Sequence, residues 1–132
     1  MVRLGLVLVG TATAFAAVDL VHKAGTGPEY FHARSPLYVI VVVALAALWA
    51  LGILLTRSLS MALGGGVLLG GAAGNLVSLA FWPGVPNPIL VAPIAFNLAD
   101  VFVLAGFGLV AASTVVYAVS NADRLTEPVR LR

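Results

Sequence analysis

The sequence contains four long apolar stretches, each near the length of about 20 residues that a helix needs to cross about 30 Å of hydrocarbon. They cover residues 4–21, 36–55, 61–82 and 94–119. With 61% hydrophobic and only 9% charged residues, a chain of 132 residues has too much apolar surface for one small water-soluble core. The sequence therefore predicts an all-α membrane protein that folds as a bundle of four transmembrane helices.

The sequence indicates one transmembrane domain over residues 1–122, followed by a short cytoplasmic tail over residues 123–132. The mixed charges of the tail give it no fold of its own. The first apolar stretch follows Arg3, as in a secretory signal peptide, but Asp19 and Lys23 close it where a cleavage region has small neutral residues. We therefore expect this stretch to be retained as the first helix.

The positive charges predict how the bundle is oriented, because Lys and Arg near the ends of membrane segments resist translocation. One side of the predicted bundle carries Arg3, Arg57, Arg124, Arg130 and Arg132, and the other side carries Lys23 and Arg34. This asymmetry predicts that both termini are cytoplasmic and that the loops over residues 24–35 and 83–93 lie outside.

Composition argues against several other functions. The formal net charge of +2 comes from few groups and no basic run, so nucleic acid is not an expected partner. The chain has no cysteine, which removes disulfides, thiolate nucleophiles and cysteine metal sites. His22 and His32 have no third well-placed ligand, so we predict neither a metal nor another cofactor. Any chemistry therefore falls to Asp, His, Ser and Lys.

The third apolar stretch carries glycines at helical spacing. Gly66, Gly70 and Gly74 are four residues apart, and Gly71 lies beside them. One face of this helix is therefore almost bare backbone, which is typical of close helix packing in membranes. We predict that these four glycines let neighbouring helices approach.

Polar side chains inside an apolar helix are costly to bury unpaired and therefore tend to face the interior of a bundle. Three pairs have helical spacing: Asp19 with Lys23, Asn75 with Ser78, and Asn97 with Asp100. Residues three or four apart share a helix face, so Asp19 and Lys23 are predicted to form an ion pair. The predicted topology places all three pairs at one level near the outer surface, which makes them the candidate site.

Three segments of the sequence resemble motifs of one enzyme family. They are Gly-Gly-Ala-Ala-Gly-Asn-Leu-Val-Ser over residues 70–78, Phe-Asn-Leu-Ala-Asp over residues 96–100, and Asp-Leu-Val-His-Lys over residues 19–23. They are similar to motifs of the lipoprotein signal peptidase family, also called signal peptidase II. The resemblance implies a multi-pass protein of the bacterial plasma membrane with a place in lipoprotein processing. In that family two aspartates form an aspartic-protease dyad that cleaves the signal peptide of a diacylglyceryl-modified prolipoprotein within the membrane.

This sequence departs from the family at one of the two catalytic positions. Asp100 matches the second aspartate, whereas Ser78 stands where the first is expected and Leu79 replaces the arginine that usually follows it. A serine hydroxyl is not acidic enough to share a proton with a carboxylate, and loss of one catalytic group typically costs several orders of magnitude in rate. We therefore expect a degenerate protease site, in which Ser78 hydrogen-bonds Asp100.

Two functions remain open. A binding or accessory protein would use Asp100 and the asparagines of the candidate site as anchors for membrane lipid, a lipoprotein signal peptide or a transmembrane helix of a larger complex. An active lipoprotein signal peptidase would need a modified dyad, in which Asp19 supplies a second carboxylate or Lys23 activates Ser78. Of the two, the sequence favours the binding protein.

Both predicted outer loops are short. The resembled family uses more chain in the first loop, for a small β-rich platform on the membrane, than residues 24–35 supply. Tyr30 and Phe31 in this loop are typical of aromatic residues at a membrane interface. Residues 82–89 contain three prolines and no charge, which predicts a stiff and irregular second loop.

Overall fold

A computed structural model describes residues 2–28 and 30–122. Its helices are α1 (Val2–Thr26), α2 (Pro36–Thr56), α3 (Leu59–Ser78) and α4 (Leu98–Ser120). Each is long and apolar enough to cross a membrane, which confirms the predicted bundle of four transmembrane helices. The tail predicted over residues 123–132 lies outside the described residues.

The connection between α2 and α3 is a tight turn with a clear local cause. Arg57 adopts a left-handed backbone conformation with φ of 54°, and its N–H donates to the carbonyl of Leu54 to end α2. Ser58 follows as the N-cap of α3, where its side chain accepts from the N–H of Met61. The chain therefore reverses within two residues, and α2 and α3 become antiparallel neighbours.

The third helix is shorter than predicted. It ends at Ser78, and residues 79–82 form a turn in which the N–H groups of Phe81 and Trp82 both donate to the carbonyl of Ser78. Pro83 and the glycine that follows it come next, so the apolar residues of the turn cannot extend the helix. The predicted end of this span at residue 82 is therefore wrong by one helical turn.

The fourth helix starts later than predicted. Asn97 and Asp100 form a capping box, in which the N–H of Asp100 donates to Asn97 Oδ1 at 3.1 Å and the N–H of Asn97 donates to Asp100 Oδ2 at 3.2 Å. This box fixes the first helical residue at Leu98. The apolar residues 94–96 precede the cap and form a strand, so the predicted start at residue 94 is wrong.

The loops between the helices form two small antiparallel sheets. β1 (Phe31–His32) pairs with β2 (Val85–Pro86), which joins the loop after α1 to the loop after α3. β3 (Ile89–Val91) and β4 (Ile94–Phe96) form a hairpin directly before α4. The predicted irregular second loop is therefore confirmed for residues 82–84 and 87–88, whereas the paired strands β2 and β3 take up the backbone of Val85–Pro86 and Ile89.

Helix α3 lies at the centre of the bundle. Within its most apolar window 61% of the residues are buried, compared with 6% for α2. Around its first turn Met61 and Ala62 pack with Leu8 of α1 and Ile53 of α2 in one buried cluster. The other three helices therefore use α3 as their common support.

The glycines of α3 are the points where its neighbours come closest. A Cβ atom added at Gly66 would lie 2.5 Å from Thr11 Cβ, and one added at Gly70 would lie 2.7 Å from the carbonyl oxygen of Ala12. Both contacts are with α1. Gly71 faces the backbone of Ala99 at the start of α4 in the same way. Side chains at these positions would push α1 and α4 away from α3.

Candidate functional site

Polar side chains gather where α1 and α3 end and α4 begins, which we call the polar end. Lys23 is fully buried there. Its ammonium donates to Asp19 Oδ2 at 2.6 Å, to Asn75 Oδ1 at 2.9 Å and to Ser78 Oγ at 3.0 Å. Lys23 therefore uses all three of its protons to tie α1 to α3.

Asp19 forms the ion pair that its spacing from Lys23 predicts, and it also reaches α4. Its second oxygen, Oδ1, accepts from the backbone N–H of Ala99 at 2.9 Å. This N–H belongs to the first turn of α4, where the helix dipole favours a negative charge. The absence of a side chain at Gly74 leaves room for the carboxylate, because a Cβ there would lie 2.6 Å from Asp19 Oδ2. Asp19 is fully buried and both its oxygens are occupied.

Ser78 is part of the buried hydrogen-bond network that joins α1 to α3. It is fully buried, and its hydroxyl donates to the carbonyl of Gly74 at 2.6 Å while accepting from Lys23. The expected hydrogen bond between Ser78 and Asp100 is absent from the described contacts, so that hypothesis is wrong. The physical reason is that the close packing of α1 on α3 brings a charged donor to Ser78 first.

Of the two carboxylates in the described part of the chain, Asp100 is the one that remains partly exposed. Its Oδ1 accepts from Asn75 Nδ2 at 3.1 Å, and its Oδ2 accepts from the N–H of Asn97 in the capping box. Among the described residues, no lysine or arginine forms a salt bridge with Asp100. Its direct partners are therefore neutral hydrogen-bond donors, while the charge of Lys23 acts on it from beyond Asn75.

Asn75 links the two charged parts of the site. Its carbonyl oxygen accepts from Lys23 and its amide nitrogen donates to Asp100, so its orientation is fixed by both neighbours. It is buried, with 8% of its surface exposed. Asn75 therefore holds Asp100 at a defined position beside the ion pair.

Asn97 belongs to the loops rather than to the ion pair. It is fully buried, and its Nδ2 donates to the carbonyl of Pro86 at 3.0 Å and to Asn87 Oδ1 at 2.7 Å. Because Asn87 Oδ1 is the acceptor, Asn87 Nδ2 faces His32 Nδ1 at 2.7 Å and donates to it. Asn97 therefore connects the start of α4 to both strands of the first sheet.

Sequence reasoning missed Asn87, although it is only 2% exposed. Its N–H also donates to the carbonyl of Tyr30 at 2.8 Å, which joins the two loops. The sequence feature that could have identified Asn87 is its amide side chain, which lies between two prolines in an uncharged loop. A polar residue in such a place needs partners, and the neighbouring elements supply them.

A cleft of about 410 Å³ opens beside Asp100 between α2, α3 and α4. Its lining residues are Tyr38, Val42, Ala72, Asn75, Asp100, Val103 and Leu104. A second cavity of about 290 Å³ shares Val42, Ala72, Val103 and Leu104 with the cleft. A third, of about 550 Å³, shares Leu45 and Trp49 with the second. The three cavities therefore follow one another along α2 and α4, starting at Asp100.

The chemistry that this arrangement offers is limited. Of the described acidic side chains, only Asp100 lines the cleft, because Asp19 is buried against Lys23 and Ala99. Within residues 2–28 and 30–122, no three histidine, cysteine, aspartate or glutamate side chains lie close enough to hold a metal ion. The described site therefore presents one carboxylate and one amide to whatever occupies the cleft.

A comparison with known protein families gives a match over most of the chain. Residues 7–116 match the family described as signal peptidase (SPase) II. No curated protein and no solved structure matches the chain significantly. The matched segment covers more than four-fifths of the chain and contains Asp19, Lys23, Asn75, Ser78 and Asp100.

Proposed function

Because this chain belongs to the signal peptidase II family, we propose that it keeps the scaffold of that family as a non-proteolytic membrane protein that holds a transmembrane helix or a lipid in the cleft beside Asp100. The proposal rests on one observation. At the position where the resemblance requires the first aspartate of the dyad, Ser78 is buried and hydrogen-bonded to Gly74 and Lys23. A dyad needs two carboxylates that share a proton beside the scissile bond, and Ser78 cannot supply one.

The geometry opposes a dyad between Asp100 and Asp19. Each oxygen of Asp19 already has a partner, Lys23 on one side and the N–H of Ala99 on the other. Asp19 is fully buried and does not line the cleft. To act as a second catalytic carboxylate it would have to leave both partners, which costs several kcal/mol for a buried ion pair.

The geometry also opposes a nucleophilic pair of Ser78 and Lys23, although the two groups lie within hydrogen-bond distance. A lysine that activates serine must be neutral so that it can accept the hydroxyl proton. Here Lys23 is the donor, and its charge is matched by Asp19 at 2.6 Å. The hydroxyl proton of Ser78 points instead to the carbonyl of Gly74. Ser78 is also fully buried, so a substrate carbonyl has no access to it.

The cleft supports a binding function. Its walls are the apolar side chains of Val42, Val103 and Leu104, and its polar groups are Asp100 and Asn75 at one end. A few polar groups at the end of an apolar groove are typical of ligand sites. Asn97, which the sequence suggested as a third anchor, is fully buried and serves the loops instead.

The test is cleavage of a diacylglyceryl-modified prolipoprotein by the purified protein in lipid, beside Asp100→Asn and the double change Ser78→Asp with Leu79→Arg. We expect no cleavage by the native chain and no difference between it and Asp100→Asn. Cleavage by the native chain that is lost in Asp100→Asn would overturn the proposal and establish a peptidase with a modified dyad. Cleavage gained by the double change would support the proposal, because only the missing groups of the dyad would then separate this chain from an active peptidase.

A further inference from the structure

A series of side-chain hydrogen bonds leads from the start of α4 to the loop after α1. Asn97 Nδ2 donates to Asn87 Oδ1 at 2.7 Å, and 2.7 Å separates Asn87 Nδ2 from His32 Nδ1. Asn97 and Asn87 are buried, whereas His32 is exposed. The series therefore connects the cap of a membrane-spanning helix to a histidine that water can reach.

The capping box of α4 fixes the direction of each bond in this series. Asn97 Oδ1 accepts from the N–H of Asp100, so Asn97 Nδ2 is the donor to Asn87. Asn87 Oδ1 is then the acceptor, and Asn87 Nδ2 is left to donate to His32 Nδ1. His32 Nδ1 carries no proton in this arrangement, so His32 is a neutral imidazole with its proton on Nε2.

A second ring proton on His32 is incompatible with this arrangement. Protonated Nδ1 would be a donor that faces the donor Asn87 Nδ2. Turning the amide of Asn87 does not remove the conflict, because its Nδ2 would then face the donor Asn97 Nδ2. Asn97 is itself held by the N–H of Asp100 and the carbonyl of Pro86. The ring of His32 is exposed and can turn to water, so it is the part that moves.

The bond of His32 supports a small strand pairing. β1 and β2 pair over two residues each, and so short a pair of strands is marginally stable by itself. The N–H of Asn87 adds one more bond between the loops, to the carbonyl of Tyr30 at 2.8 Å. Loss of the side-chain bond of His32 therefore weakens the hold on β1 and on the residues that join it to α2.

The elements that pack around β1 do not offer another group with this response. Residues 59–99, which include β2 and the helix α3 that packs on it, contain no ionisable side chain. At the end of α1, Asp19 and Lys23 are fully buried and paired with each other. Asp100 meets the series through the backbone N–H of Asn97, which donates to it.

The loop of His32 has three further ionisable side chains in the sequence, Glu29, Tyr30 and Arg34. Glutamate, tyrosine and arginine ordinarily titrate outside the range of about pH 5 to 8 in which histidine changes charge. The chain has one other histidine, His22 on α1. A variant of His22 is therefore the matched control for a variant of His32.

We propose that His32 is an acid-sensitive latch between the two loops that carry β1 and β2. Neutral His32 accepts from Asn87 and holds β1 on β2, and protonated His32 releases this bond. The pairing is therefore complete while His32 is neutral and weakens as the pH falls through the range in which histidine takes up its second proton. The latch goes beyond the proposed function and does not depend on what occupies the cleft.

Hydrogen exchange of the full chain in lipid discs tests the latch at about pH 8 and about pH 5. The readout is the protection of the N–H groups of residues 31–32, 85 and 87, relative to the exchange rate of an unfolded chain at the same pH. We expect this protection to be about fivefold lower in acid, as the loss of one hydrogen bond allows, while the middle of α3 keeps its protection. Equal protection at the two pH values would overturn the proposal.

Three variants separate the latch from a general effect of acid. His32→Asn keeps an acceptor oxygen at the position of Nδ1 but takes up no proton, so we expect equal protection at both pH values. His32→Leu has no acceptor, and we expect low protection at both. His22→Gln removes the other histidine and is expected to keep the full acid response. An acid response that survives in His32→Asn, or that disappears in His22→Gln, would overturn the proposal.

A change at Asn87 tests the partner of the latch. Asn87→Asp replaces the amide donor with a carboxylate oxygen, which attracts protonated His32 and still leaves an acceptor for Asn97. Protection at about pH 5 is then expected to equal or exceed that at about pH 8. Loss of protection in acid that persists in Asn87→Asp would show that protonated His32 does not meet the amide of Asn87, and it would overturn the proposal.

Discussion

Lys23 and Ser78 lie 55 positions apart in sequence, and 3.0 Å separates Lys23 Nζ from Ser78 Oγ. The contact joins the end of α1 to the end of α3 at the level of Asp100. It gives the hydroxyl of Ser78 a place in a fully satisfied buried network, in which Lys23 donates to three acceptors. The residue that departs from the family pattern is thus part of what holds the polar end together.

We predict that Ser78→Ala lowers the stability of the bundle. The change leaves one proton of the buried Lys23 ammonium without an acceptor, which costs about 1–3 kcal/mol. Thermal unfolding in detergent measures the effect, with Ser120→Ala at an exposed position of α4 as the matched control. A melting temperature equal to that of the control would show that the hydroxyl of Ser78 has no structural role.

A larger loss is expected from Lys23→Met. This change leaves the Asp19 carboxylate buried without its cation, and breaking a buried pair in this way costs about 3–5 kcal/mol. The double change Lys23→Met with Asp19→Asn removes both charges, so it is expected to be less destabilised than Lys23→Met alone. Arg3→Met removes an exposed cation from the same helix and serves as the control. If the double variant is less stable than the single one, the charge on Asp19 is not the cause.

The close approach of Asp19 to α3 predicts different effects for two glycine substitutions. At Gly74 a methyl group would displace the Asp19 carboxylate, so Gly74→Ala is expected to lower the melting temperature and to loosen the start of α4. At Gly10 nothing lies within 4 Å, so Gly10→Ala is expected to be neutral or to stabilise α1 by up to about 1 kcal/mol through helix propensity. Hydrogen exchange at Ala99 and thermal unfolding check both. Equal effects of the two changes would contradict the close contact.

The loop network makes a fourth prediction. Asn87→Ala removes one of the two acceptors of buried Asn97 Nδ2 and the donor to His32 Nδ1, so the pairing of β1 with β2 is expected to weaken. Faster hydrogen exchange at residues 31–32 and 85–87, with unchanged exchange in the middle of α3, is the expected signature. Asn121→Ala removes a partly exposed amide at the far end of α4, which donates to the carbonyl of Tyr117, and is the control. Unchanged exchange in both strands would show that Asn87 does not hold the loops.

Local sequence patterns predicted the helices and the pair of Asp19 and Lys23, because both depend on residues close together in the chain. Hydropathy failed at residues 94–96, since a short apolar run does not by itself distinguish a strand from a helix. The capping box of Asn97 and Asp100 decides that boundary. It was visible in the sequence as an N-cap residue followed three positions later by an acid.

Local sequence patterns could not predict which side chains of the site contact each other. The spacing of Asn75 and Ser78 puts them on one face, but it does not say which neighbouring helix meets that face. The partners of these residues depend on how α1 packs against the glycines of α3. This packing places Lys23 within hydrogen-bond distance of Ser78, and Asp100 then accepts from Asn75 instead. Asn87 was missed because its partners come from two other segments of the chain, the loop after α1 and the start of α4.

The slight burial of α2 has a consequence for how the protein behaves in membranes. The helices α1 and α4 are held against α3 by close contacts at glycines. By contrast, cavities occupy much of the space between α2 and α4, and in a bilayer lipid acyl chains fill them. The separation of α2 from α4 is then set partly by the lipids themselves. Bilayer thickness and acyl-chain saturation become structural variables of this protein, in the way that side-chain volume is a structural variable of a water-soluble core.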